Sequence, residues 1–200
     1  MIIDPRQQRV FDTTSPQAYL SQYADRLRDA LCSVDAIALE RALHAVQVAA
    51  QTGSRIHSIG NGGSAAVADH LACDWMKGIH VPGKDVIFAE SMTGNIALYS
   101  AIANDFSFEE VFSKQVEFLG RKDDVLVAIS SSGNSPNILG AVDKAQSMGL
   151  VTIGLSGFDG GKLRSAVDIS LHVEVHNYGV VEDAHQSLMH VIAQFIHSTR

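Results

Sequence analysis

Residues 55–76 read RIHSIGNGGSAAVADHLACDWM, and three physical signals follow one another in that stretch. Arg55–Ile59 is a short run of the kind that forms a buried strand. Gly60-Asn61-Gly62-Gly63-Ser64-Ala65 is a loop whose glycines let the backbone approach a ligand closely. From Ala65 to Met76 the pattern is helical, so the loop opens onto a helix N-terminus, with free N–H groups and the positive end of a dipole. A strand, a glycine loop and a helix in succession form the unit of a parallel sheet, and the loop is an anion seat.

The same alternation continues to the C-terminus. Val86–Ala89, Val125–Ile129, Val151–Leu155 and Ile169–Val175 read as further buried strands. Helical stretches are expected near Gly94–Ala103, Phe108–Leu119, Pro136–Ser147 and Val181–His197. The fold class is therefore α/β: a doubly wound, flavodoxin-like sheet of five parallel strands. Upstream, Ser15-Pro16 sets an N-cap and a first-turn proline before Leu20, Tyr23, Ala24, Leu27 and Leu31, and a second helix runs from about Val34 to Ala50 with Gly53 as its stop. The expectation is one domain over 1–200, with a helical pair over 1–52 and the α/β portion over 53–200.

A second loop stands out because ligands of such sheets bind beyond the carboxyl ends of the strands. Ser130-Ser131-Ser132-Gly133-Asn134-Ser135 follows the third strand, and Pro136 suits the first position of the next helix. Hydroxyls and backbone donors converge there. No lysine ends the first loop, so the phosphate-cradling pattern of nucleotide triphosphatases is absent. Gly60, Gly62 and Ala65 do fit a dinucleotide fingerprint, with Glu90 as its ribose acid. That reading leaves the serine loop without a purpose, whereas two neutral, hydroxyl-rich loops suit a phosphorylated sugar.

Composition narrows the classes further. The chain has 200 residues, 46% hydrophobic and 18% charged, which excludes disorder by composition. Its 15 basic against 22 acidic residues, a formal charge of -7, argue against nucleic acid or an anionic membrane as partner. No apolar run is long enough to span a bilayer. Two cysteines make no disulfide framework and the N-terminus has no leader pattern, so a cytoplasmic location is expected. Nine histidines are the oddity of the composition. His70 and Asp74 are four apart on the helix after the first loop, hence on one face. Glu182, His185 and His190 share the last helix. The other six, His44, His57, His80, His172, His176 and His197, read as structural or surface residues.

GNGGSA followed by H-x-x-x-D, then AND, ISSSGNS, GFDGGKL and VEDAHQSLMHVI together resemble the sugar-isomerase (SIS) domain and, within it, the phosphoheptose isomerase family. The resemblance runs from about residue 15 to the end of the chain. It implies a cytoplasmic homotetramer with sites between subunits, converting sedoheptulose 7-phosphate to D-glycero-D-manno-heptose 7-phosphate for surface polysaccharide. Matched by motif, Asn61, Gly62, Gly63, Asn104 and Asp105 line the sugar together with Asp74 and Glu182, and Ser130, Ser131, Ser132 and Ser135 hold the phosphate. The family's metal ligands match His70, Asp74, Glu182 and His190, a set suited to Zn2+, with Asp74 and His190 as the acid/base pair. Asp74 stands where the family usually has Glu, Glu182 where it usually has Gln, and the usual Asp before Glu182 has no match. On one regular helix Glu182 and His190 lie about 12 Å apart along the axis. A single ion meets both only if Glu182 lies in a non-helical lead-in or a second subunit takes part. The competing expectation is a non-catalytic SIS-domain regulator that binds a phosphosugar or a replication-initiator partner and needs no acid/base pair.

Overall fold

The structure, a computed structural model, describes residues 11–200. The expectation that residues 1–10 carry no leader lies outside the described residues. Five parallel strands, β1 (Arg55–Gly60), β2 (Phe88–Ser91), β3 (Val125–Ser130), β4 (Val151–Ser156) and β5 (Ile169–His172), lie in the order β2-β1-β3-β4-β5. This is the flavodoxin-like order expected from the alternation. It puts the topological switch point between β1 and β3, which pair directly, Gly60 standing beside Ile129. The two loops singled out in the sequence thus leave neighbouring strands side by side.

Helices cover both faces because the strands are buried on both. In β3 every residue is buried; Val125, Val127 and Ile129 pack with α2 (Ala36–Thr52), α3 (Gly63–Cys73) and α8 (Tyr178–Thr199). Leu126 and Ala128 turn the other way, onto α4 (Ile96–Asp105), α5 (Ser113–Leu119) and α6 (Pro136–Ser147). Each fully buried aliphatic side chain contributes roughly 1.5–3 kcal/mol. α1 (Pro16–Cys32) begins at the expected cap, Ser15 accepting from the Ala18 N–H, and α2 ends at Gly53 with φ 73°. Among the described residues, no helix is long and apolar enough to cross a membrane.

Several boundaries differ from the expectation. The helix expected over Phe108–Leu119 is a 3-10 turn (Phe108–Glu110) followed by α5, because the adjacent Val111 and Phe112 both turn into the core. β5 stops at His172; Val173 still donates to Ser156, but the Val175 N–H folds back onto the Val173 carbonyl and leaves the sheet. A short helix, α7 (Leu163–Ala166), was not expected. The helix after the first loop ends as α3 at Cys73 and continues as a π-helical turn, Asp74–Gly78.

One polar cluster ties the first three strands together. His57 is wholly buried in β1, with Nδ1 3.1 Å from Glu90 Oε1 and Nε2 3.3 Å from Asp124 Oδ2. Asp124 also accepts the backbone N–H groups of Arg55 (2.7 Å) and Arg121 (2.9 Å). Glu90, the supposed ribose acid, is therefore engaged with His57 and Arg55. Replacing Asp124 by Ala strands two backbone donors in a buried place, and is expected to lower stability by about 3 kcal/mol in urea denaturation at fixed protein concentration. An unchanged midpoint refutes this account of the cluster.

Candidate functional site

Six helices of the structure have ten residues or more, and four of them, α1, α2, α4 and α8, close their first turn with a side-chain cap from Ser15, Asp35, Asn95 or Asn177. The two that lack one are α3 and α6. These are the helices that open from the two seats. No N-cap side chain accepts from either first turn, although Asn137 Oδ1 takes the Ile138 N–H at 3.0 Å, and each helix presents its positive dipole end to an anion. Between them lies a cavity of about 220 Å³ lined by Asn61, Ser64, Ile129, Ser130, Ser131, Ser132, Ser135, Tyr178 and Glu182. A larger hollow, about 490 Å³, lies beside Pro16 and Tyr19, but its walls are mostly apolar and it holds none of the chemistry.

The serine loop is built from below. Ser130 Oγ donates to Ser135 Oγ (3.2 Å), and Ser131 Oγ is buried with no partner, an unspent hydroxyl beside the cavity. Gly133 has φ 66°, and a Cβ there collides with the Gly160 carbonyl. Around that contact Gly157 donates to the Ser131 carbonyl (2.9 Å), Leu163 to the Gly133 carbonyl (3.0 Å) and Lys162 to Asn134 Oδ1 (3.2 Å). The Gly157–Gly161 turn is the buttress of the seat. The two loops are joined by Asn61 and Asn137, whose amides exchange a reciprocal pair of hydrogen bonds at 2.9 Å. Asn137 is buried, and nothing in the sequence marked it beyond its place after Pro136.

Glu182 belongs to this cavity. Its carboxyl carbon lies 2.6 Å from where a Cβ on residue 63 would stand, so a side chain there displaces the Glu182 carboxyl. Burial, and secondly the neighbouring Asp183, raise the Glu182 pKa above the ordinary carboxylate value.

A second cluster lies further along α3 and α8. Asp74 Oδ2 is 3.5 Å from His70 Nε2 and 3.3 Å from His190 Nε2, and the two imidazole rings stand edge to face with centroids 5.1 Å apart. Gln186 reaches both, its Nε2 2.8 Å from His70 Nδ1 and 3.3 Å from His190 Nε2. One ligand atom from each of His70, Asp74 and His190 falls within 4.8 Å of the others, so these three fit a divalent ion. Glu182 does not join them. It lies in regular α8, not in a lead-in, so the eight-residue separation from His190 holds within one chain. Asn104 and Asp105 end α4 exposed, bonded to each other at 2.8 Å, and do not line the cavity of their own chain. Gln186 is the residue the sequence reading missed. Its signal was a spacing of four before His190 on one helix face.

A profile of the SIS domain matches residues 18–157 of the chain. Phosphoheptose isomerases of Helicobacter pylori (strain P12) and Desulfovibrio desulfuricans are 37% and 36% identical to it, over 79% and 84% of this chain and 82% and 80% of the relatives. The solved phosphoheptose isomerase of Neisseria gonorrhoeae is 33% identical and superposes with a TM-score of 0.82, covering 91% of this chain and 96% of that one.

His185, on the same helix, lies in the core and does not join the cluster. It is fully buried, neither ring nitrogen has a partner, and burial pushes its pKa down to about 4. The unfolded chain protonates this ring near pH 6.5, whereas the folded chain refuses the proton until about pH 4. Stability from this group is therefore present above pH 6.5 and lost as pH falls from 6.5 toward 4, by roughly 3 kcal/mol. His185→Leu should flatten the denaturation free energy across that window by the same amount. Parallel curves for the two proteins refute it.

Proposed function

The chain belongs to the SIS-domain family and, within it, to the phosphoheptose isomerases, and on that footing we propose that it interconverts sedoheptulose 7-phosphate and D-glycero-D-manno-heptose 7-phosphate. The observation that carries the reading is the pair of helix N-termini without a side-chain cap around one cavity, with a carboxylate and two imidazoles further along α3, its π-helical turn and α8. The phosphate lies at the start of α6, taking hydrogen bonds from Ser130, Ser131, Ser132 and Ser135. Asn61, Gly62, Gly63 and Glu182 face the sugar chain, Glu182 accepting from a hydroxyl.

The chemistry is a proton moved between neighbouring carbons. Asp74 takes a proton from C1 of the ketose and returns it to C2, while His190 takes the proton of the C1 hydroxyl and supplies one to the C2 oxygen. Carbon-bound hydrogen, charge and electrons balance, and the enediol lies between. The 3.3 Å between Asp74 Oδ2 and His190 Nε2 lets both groups serve adjacent atoms. His70, Asp74 and His190 would hold zinc, whose borderline preference suits two imidazoles and a carboxylate and which, when bound, polarises the substrate oxygens. Gln186 orients both rings.

The enzyme acts in the cytoplasm as a homotetramer with sites between subunits. The exposed Asn104 and Asp105, outside the cavity of their own chain, support this, since a neighbouring subunit brings them to a sugar. A regulator that only binds phosphosugar needs the cavity but has no use for the Asp74–His190 pair.

Incubation with sedoheptulose 7-phosphate, followed by NMR, is expected to yield the aldose. Asp74→Asn and His190→Asn should each lower kcat by roughly 10²–10⁴-fold. Ser132→Ala should raise KM about tenfold, the worth of one hydrogen bond to a charged group, with kcat little changed. No conversion by the unaltered chain, with or without added zinc, overturns the assignment.

A further inference from the structure

The two groups assigned to proton transfer lie on different helices, 116 residues apart in sequence, and van der Waals packing alone does not fix how far one helix slides along another. Besides the Gln186–His70 hydrogen bond at the rim, a directional contact crosses the buried middle of this seam. Trp75, the residue after Asp74, is 1% exposed, and its indole Nε1–H donates to the carbonyl of Met189, the residue before His190, at 3.1 Å. We propose that Trp75 is a positioning residue for the reaction, its hydrogen bond to the Met189 carbonyl fixing the gap between Asp74 and His190. The inference rests on the assignment of those two residues as the proton-transfer pair.

Three observations carry it. Val67, Leu71 and Trp75 form one buried stripe that continues from α3 into the π-helical turn, and Leu188, Met189 and Ile192 are the buried stripe of α8. His70 and Asp74 on one element, and Gln186 and His190 on the other, line the rim of that seam and remain partly exposed. The site is thus set on the edge of a helix contact whose middle is Trp75. Secondly, the Asp74 N–H still donates to the His70 carbonyl, but from Asp74 to Gly78 the chain continues as a π-helical turn. The tertiary bond from the next residue ties the start of that turn to α8. Thirdly, a leucine or phenylalanine would fill a similar apolar space, but only an indole brings a donor, and it meets the second lone pair of a carbonyl inside a helix. A displacement on the order of 1 Å between reacting groups costs about 10²-fold in rate.

Trp75 is the single tryptophan of the chain. Biosynthetic replacement of tryptophan by 3-benzothienylalanine therefore alters this position alone, exchanging N–H for S while keeping the bicyclic shape. Trp75→Phe is the second variant, and circular dichroism verifies that both fold. The expected result is a kcat lowered about tenfold or more, with KM for the phosphosugar within twofold, because the phosphate loops are untouched. Co2+ affinity, titrated by visible absorption, is expected to fall about tenfold in both variants, since the same gap spaces the ligands. A benzothienyl protein with kcat within twofold of the unaltered chain overturns the proposal, as does a parallel loss of kcat and KM binding that marks general loosening. If the unaltered chain fails to isomerise the sugar, the assigned activity falls, while the Co2+ titration still decides on Trp75: weaker binding in the variants upholds the spacing role, and equal binding overturns it. An unaltered chain that neither turns over nor takes up Co2+ overturns both.

Discussion

A protein with a net charge of -7 has no field of its own to draw in a phosphate, so the anion has to be held by short-range donors. The order β2-β1-β3-β4-β5 meets that constraint by placing the helices that follow β1 and β3 next to each other at the switch point. Side chains cap the other long helices and leave these two uncapped. The chain thereby presents two helix N-termini without an N-cap side chain at one place. The reciprocal Asn61–Asn137 bonds keep the two loops in register, and the Gly157–Gly161 turn braces the serine loop through backbone hydrogen bonds. Everything else about the site is arranged around that fixed end.

Two helices set the other end. α3 and α8 run alongside one another, Gly63 facing Glu182 near their starts and Asp74 facing His190 further on. Along α3, Gly63 and His70 are about 10 Å apart, and along α8, Glu182 and His190 about 12 Å. These spans are comparable to an extended seven-carbon phosphosugar. On the proposed assignment the arrangement works as a ruler, with the phosphate seat at one end and the proposed proton-transfer groups at the other. Glu182 accordingly belongs to the sugar end of one chain, although motif matching alone groups it with the metal ligands.

The parallel sheet and the two loops were legible in the sequence, because apolar runs alternating with glycine- and serine-rich loops are local signals. His70 and Asp74 were legible for the same reason, being one helical turn apart. What the sequence hid is tertiary. Gln186 matters only because α8 lies against α3, Asn137 only because β1 pairs with β3, and His57 only because Glu90 and Asp124 flank it from two neighbouring strands. No periodicity announces such pairings. The π-helical turn at Asp74–Gly78 was equally invisible, since its residues suit an ordinary helix.

That turn bears on the most evident departure from the family pattern. Asp74 is one methylene shorter than the usual Glu, so its carboxylate reaches the same place only if the backbone stands closer to α8. The Asp74 N–H still donates to the His70 carbonyl, the π-helical turn begins at that residue, and the indole of Trp75 ties the turn to the Met189 carbonyl. The resulting 3.3 Å between Asp74 and His190 is a hydrogen-bonding distance despite the short side chain. On the proposed assignment of Asp74, loss of a methylene from the acid and a directional bond from the next residue are complementary, and the shorter acid depends on the residue that follows it.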